Sequence, residues 1–308
     1  MHAEMEFQKL QVIHRQAQRS RLNHRHEAGW IAHVYLQLID HVFEGVGQYE
    51  NIQGATMEGD SIPFKKYRRN LGRGVPDGLD TSSEFCVSVS ESSASSANSV
   101  PRGNKDPRKL AHIQSRGGVK IVDFALLLDV QKNSALPDTI DSLIRTVCRD
   151  GRYHLNQTAY EPIASRLIAV SIRVEEPFSG VDPLPPLALW TAAWYKRMRA
   201  LRRELFATKI ASIKDENTRQ ELRKQEQQKN LITVPVITVV GHQWEIYYAF
   251  FDAESITIYG PVELGSTCSL LDLYALVASL RTIKEWIQTT FREAMGEWFM
   301  VEANTADA

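Results

Sequence analysis

Two short, almost unbroken apolar runs, residues 119–128 and 168–174, constrain this chain more than any other feature. Neither reaches the roughly 20 residues of a membrane helix. Neither alternates as a strand with one wet face would, so both read as strands buried on both sides. Strands of that kind need helices to cover them. The chain supplies one over residues 27–43, where Trp30, Val34, Leu36, Leu38, Ile39 and Val42 recur with helical period and Gly45 and Gly47 end the pattern. Others are expected over 139–147 (with Asp138 as N-cap), 187–205 and 269–297. Residues 214–229 lack an apolar face and read as a solvated helix or helical linker. Further strands are expected around 51–55, over 231–240 and 244–251, and over 255–259 after a turn at Asp252-Ala253-Glu254. The fold class that follows is α/β, with a central mixed sheet flanked by helices.

Between residues 70 and 118 the composition changes. Serine crowds residues 82–99, and large apolar groups are too few to offset the entropy of ordering the chain. This stretch is expected to be a long disordered insertion inside one domain, because strand signals resume directly after it; a linker between two domains is the competing reading. The expected organisation is an N-terminal extension over 1–25, a single domain over 26–300 and a flexible tail over 301–308.

Charge and cysteine content narrow the function classes. Lys+Arg 36 against Asp+Glu 37 leaves a net charge of −1, which argues against binding nucleic acid by overall charge. The 3 cysteines, Cys86, Cys148 and Cys268, form no CxxC pair, so a disulfide framework or structural zinc is not expected. No apolar stretch is long enough to span a membrane and the N-terminus lacks a secretory pattern. A membrane partner is therefore not expected, and the placement expected is intracellular, cytoplasmic or nuclear.

Chemistry-bearing residues are few. GxGxxG, P-loop, GxSxG and HExxH motifs are absent, and nothing calls for a cofactor or a bound metal. His24 and His26 lie two apart and read as solvated surface groups. Asp123 is more informative, since a carboxylate inside an apolar strand is costly without a partner. In the second strand Ser171, Arg173 and Glu175 alternate onto one face. Carboxylates on adjacent strands are the geometry on which metal-dependent nucleases build their sites. The basic runs 65–69 and 196–203, with only Tyr67 and Tyr195 as stacking groups, read as solvated faces.

Several stretches in order carry a resemblance. They are Glu27-Ala28-Gly29-Trp30, the serine-rich insertion, residues 122–128 around Asp123, Asn156-Gln157-Thr158-Ala159-Tyr160-Glu161-Pro162, Ile168-Ala169-Val170-Ser171-Ile172, Leu189-Trp190-Thr191-Ala192-Ala193-Trp194 and Val240-Gly241-His242-Gln243-Trp244. Ser269-Leu270-Leu271 and Glu285-Trp286-Ile287 continue it toward the C-terminus. Over residues 25–298 the chain resembles the PD-(D/E)XK nuclease-like proteins of filamentous fungi, which implies a restriction-endonuclease-like core.

The resemblance also shows departures. Where the family carries Glu-x-Lys after the second strand's Ser-Ile, this chain has Arg173 and Glu175, and a glutamine usual at the next helix falls on Pro186. Only Asp123 keeps its place. A guanidinium does not give up its proton to become a metal ligand, so Arg173 is expected to pair with Asp123 or Glu175 where a divalent ion would sit. A carboxylate pair migrated to Glu175 and Glu176 is the way metal binding would survive.

The resemblance thus implies a member that has lost metal-dependent cleavage and serves a specialised-metabolite pathway, as a small-molecule-binding accessory protein or a cyclase- or isomerase-type enzyme. Asp123 or Glu175 would be acid or base, Arg173 an anion stabiliser, and Tyr160, Glu161, Arg166, Trp190 and Trp194 the ligand-binding residues. The alternatives are a metal-dependent DNA endonuclease with a rearranged site and a non-catalytic DNA-binding module.

Overall fold

The computed structural model describes residues 2–43, 48–52, 67–70, 84–88, 122–129, 135–147, 154–177, 179–227, 229–251 and 255–300. Among the described residues eight strands form one sheet: β1 (Tyr49–Asn51), β2 (Tyr67–Asn70), β3 (Glu84–Ser88), β4 (Phe124–Leu127), β5 (Ile168–Glu175), β6 (Val234–Val240), β7 (Gln243–Phe251) and β8 (Ser255–Ser266). Their order is β1-β4-β5-β6-β7-β8-β3-β2. The six strands from β1 to β8 in that order make a mixed α/β sheet, and β3 and β2 extend its β8 edge. Only β5 and β6 pair in parallel; the other neighbours are antiparallel.

That single parallel step sets the layering. Parallel neighbours need a crossover, and residues 176–233 provide it with α4 (Leu184–Ser212) and α5 (Glu216–Gln227). On β4 all four residues are buried, and on β5 all but Arg173. Both strands are covered on two faces, which is why their sequences are nearly continuous apolar runs.

The helix over 27–42, α2, is not uniform: α-helical turns at Glu27–Trp30 and Leu36–Val42 flank a π-helical turn at Ile31–Tyr35. The wider turn accommodates an extra residue, and Trp30 and Tyr35 stack five positions apart with centroids at 5.7 Å. A second π turn, Ile287–Phe291, interrupts α6, the C-terminal helix over 270–298. Helix α3 (Ala135–Val147) starts before the expected cap, leaving Asp138 in its first turn. Helix α4 also starts early, because Pro185 and Pro186 fit a first turn whose N–H groups have no helical acceptor.

The N-terminal segment carries more structure than its charged composition suggests. It is a 21-residue helix, α1 (His2–Leu22), with Leu10, Ile13, Ala17 and Ser20 fully buried or nearly so. The spacing 10, 13, 17, 20 makes a narrow stripe among many charges. Burying each large apolar side chain contributes about 1.5–3 kcal/mol, so the stripe suffices to dock the helix. Strand β8 runs past the expected 259 to Ser266 across a cis Gly260–Pro261 bond, with irregular register against β7.

Of the serine-rich stretch, Glu84–Ser88 is strand β3, paired with β8. The remainder of it, the tail over 301–308 and the turn over 252–254 lie outside the described residues. No helix of the described residues is long and apolar enough to cross a membrane.

Candidate functional site

Asp123 sits immediately before β4. Its N–H donates to the Ile172 carbonyl at 2.9 Å, and its own carbonyl accepts from the Ile52 N–H at 2.8 Å. This ties the residue between the first and fifth strands. Phe124 pairs with Ile172 in the register of β4 and β5, so one further step brings Asp123 to the level of Arg173. The Asp123 side chain is wholly buried, and its Oδ2 accepts from the Val174 N–H at 2.8 Å. A backbone donor of this kind stabilises the ionised form and offsets part of the cost of burial.

Ser171, Arg173 and Glu175 share one face of β5, under the start of α4. The Trp190 Nε1–H donates to Ser171 Oγ at 3.1 Å. Arg173 donates from Nε to Glu175 Oε1 at 2.9 Å, and its Nη2 makes a short second contact with the same oxygen. The two side chains are 13% and 8% exposed. Arg173 and Glu175 therefore form an ion pair within β5.

Such a set does not suit a divalent ion. Glu175 is engaged by a fixed cation two residues away, and a guanidinium repels a second positive charge at ligand distance. Among the described residues no group of three His, Cys, Asp or Glu side chains is placed to hold a metal. Glu176, the other carboxylate of the expected rescue, pairs instead with His26 Nδ1 at 2.9 Å.

The five residues expected to bind a ligand do not converge. Trp190 is core, at 1% exposure, and Trp194 is buried against Phe251. Tyr160 is half-buried, and Glu161 is exposed at the start of a 3-10 turn (Glu161–Ile163). Arg166 is held by Glu50 Oε1 at 2.9 Å. The neighbouring Asn156 serves structure, its Nδ2 donating to the carbonyls of Ile163 and Arg166 at 2.6 Å each.

A cavity of about 520 Å³ opens instead beside the ends of β5 and β6, where the corner between α1 and α2 meets the β6–β7 turn. Arg21, His24, Arg25 and His26 line it from the helical corner; Trp30 and His242 contribute aromatic walls, their rings edge-on with centroids at 5.0 Å. Composition hid this site, because its residues come from positions more than 200 apart. Paired basic groups just after a helical stripe were the only local sign.

Tyr35 joins the two regions. Its hydroxyl donates to the Gly241 carbonyl at 2.7 Å. Burial, and then the nearby charges of Glu27 and Asp123, push the phenol's pKa well up, so it stays a donor. Gly241 has φ +57, and a Cβ there would lie 2.9 Å from Pro177 Cγ; only glycine fits both the turn and the packing. His242 follows, its Nδ1 at 2.7 Å from Thr267 Oγ1. Burial, with Arg21 and His14 nearby, lowers its pKa and favours the neutral ring.

No curated protein and no solved structure matches this chain. A family model does: that of the PD-(D/E)XK nuclease superfamily, over residues 2–292, which takes in α1 and the whole sheet. The chain belongs to the PD-(D/E)XK nuclease superfamily.

Proposed function

We propose that this protein keeps the nuclease scaffold without metal-dependent cleavage and binds a small molecule, as an accessory protein of a fungal specialised-metabolite pathway. The observation that carries this reading is the Arg173–Glu175 ion pair beside Asp123. A cation stands on the strand face where the superfamily places a carboxylate, and a carboxylate stands where it places a lysine. Glu175 in that position repels a phosphodiester instead of stabilising charge that develops on it.

The same geometry favours binding over acid–base chemistry of a cyclase or isomerase type at these residues. Asp123 is wholly buried and Glu175 is held by Arg173, so neither carboxylate is presented to a ligand. Folds host unrelated functions, and a cleft outlasts the chemistry it once served.

The test is a calorimetric titration with Mg²⁺ and Mn²⁺, with plasmid cleavage assayed in parallel. The expected result is no saturable heat and no cutting. Metal-dependent cutting that Asp123→Asn abolishes overturns the reading in favour of a rearranged endonuclease. Salt-sensitive DNA retention without cutting overturns it in favour of a DNA-binding module. The pathway assignment is tested by comparing metabolite profiles with and without the gene; identical profiles remove it.

A further inference from the structure

We propose that the cavity at the α1–α2 corner is the ligand site, and that it takes a small organic anion, a carboxylate or phosphate on an apolar body. The proposal rests on the reading of the chain as a small-molecule binder and names that binder's site and ligand class.

Three independent observations meet there. The volume, about 520 Å³, lies in the range of small-molecule pockets. Its lining is also strongly one-sided in charge, within a chain whose net charge is only −1. Arg21 and Arg25 are permanent cations, and His24 and His26 become cations when protonated. Glu176 is the only carboxylate among the lining residues, and it is already paired with His26 at 2.9 Å. Beneath this rim lie the faces and edges of Trp30 and His242, buried and apolar enough to hold a ligand body.

The third observation is backbone geometry. His24 lies in the left-handed region at φ 46, a conformation that a non-glycine residue adopts at some cost. That turn holds His24, Arg25 and His26 together at the mouth. Arg25 is anchored there, its N–H donating to the Ser20 carbonyl at 2.9 Å and its Nη1 to Ser20 Oγ at 3.2 Å. The opposite wall uses the left-handed Gly241 to bring the β6–β7 turn against Pro177. Two tight turns, one held at some cost by His24 and one made possible by Gly241, line a cationic cavity and form a built recess. Cations recognise carboxylate and phosphate by charge-assisted hydrogen bonds, and Arg does so through its planar fork.

His242 supplies a reporter. Burial first, and then the charges of Arg21 and His14, depress its protonation, while Thr267 holds Nδ1. His24, Arg25, His26 and Glu176 face the same cavity. An anion seated beside Arg21 offsets that positive field, so binding raises the His242 titration midpoint without requiring direct contact.

The experiment follows the histidine ring resonances of the full chain by NMR while benzoate, inorganic phosphate or a short DNA duplex is added. Assignment uses His242→Asn. Saturable shifts of His242 with benzoate or phosphate are expected, with a raised midpoint. Arg21→Gln with Arg25→Gln should weaken the effect about tenfold, the scale of losing one charge-assisted hydrogen bond. Arg15→Gln, an exposed change on the same helix outside the cavity, should leave it intact. A response to phosphate alone marks a phosphate headgroup; a response to benzoate alone marks a carboxylate ligand. No saturable shift with either anion overturns the proposal, as does equal weakening by Arg15→Gln or a response confined to the duplex. These outcomes are separate from the metal titration. Absent cleavage with no anion response removes this site alone, whereas metal-dependent cleavage removes the accessory reading itself.

Discussion

Arg173 and Glu175 lie two residues apart on one face of β5, and both Nε and Nη2 of the arginine converge on a single oxygen, Oε1, of the glutamate. With side chains 13% and 8% exposed, the pair is buried enough that neither partner is easily spared. Replacing one alone, as in Arg173→Met, leaves the other charge uncompensated and should cost about 3 kcal/mol. Replacing both by apolar residues should cost less than the two single changes summed. Urea denaturation of the four proteins in the cycle measures this.

The superfamily's own residues can be put back. Arg173→Glu combined with Glu175→Lys places a second carboxylate beside Asp123 and removes the blocking cation. This double variant should bind Mn²⁺ with saturable heat, and the parent should give none. A flat titration in a folded double variant would show that the ion pair does not decide metal binding.

Gly241→Ala meets two obstacles. Its φ of +57 is unfavourable for alanine, and the added Cβ would meet Pro177 Cγ at 2.9 Å. The expected loss is about 1–2 kcal/mol, read as a lower urea midpoint. Anion binding should weaken as well, because the same turn forms one wall of the cavity.

Tyr35→Phe removes the hydrogen bond to the Gly241 carbonyl at 2.7 Å and leaves a buried acceptor unsatisfied. A loss of about 1–2 kcal/mol is expected. Tyr35→Ala, which also empties a fully buried site packed on Trp30 and Trp244, should cost about 3–5 kcal/mol.

His242 makes stability depend on pH. Its folded pKa lies below the ordinary value of 6.5, chiefly through burial. Above 6.5 the ring is neutral in both states and contributes fully. As pH falls from 6.5 through the folded pKa, the unfolded chain takes up the proton first and stability is lost. His242→Asn should flatten that part of the stability profile, measured by denaturation at several pH values.

Much of the architecture was legible because burial on two faces leaves a plain mark. The apolar runs around Phe124 and Val170 could only be interior strands, and the stripe from Trp30 to Val42 could only be a covered helix. The carboxylate at 123 and the alternation of Arg173 with Glu175 were equally visible, since Asp123 interrupts one apolar run and a single β-strand carries the other two. What stayed hidden depends on distant neighbours. Trp190 and Trp194 look like pocket walls in sequence, yet helix α4 turns them into the sheet. Leu10, Ile13 and Ala17 look too sparse for a core helix until α6 is set against them. Nothing local announces that His24 takes a left-handed turn, or that His242, on the far side of the chain, lies across from it.

The way α1 is fastened has a consequence for biosynthesis. Gln18 Nε2 donates to the Cys268 carbonyl at 2.7 Å across 250 positions, and Arg281 Nη2 reaches Glu6 Oε1 at 2.6 Å across 275. Helix α1 can therefore pack on its neighbour α2 as it is made, but gains these two contacts only after Cys268 and Arg281 have emerged. The part of α1 that meets α6 stays open to chaperones and proteases for that interval. Premature termination before residue 268 would leave α1 without this anchor and the recess without Cys268 in its lining. Such a fragment should be cleared by the cell instead of accumulating as a half-working protein.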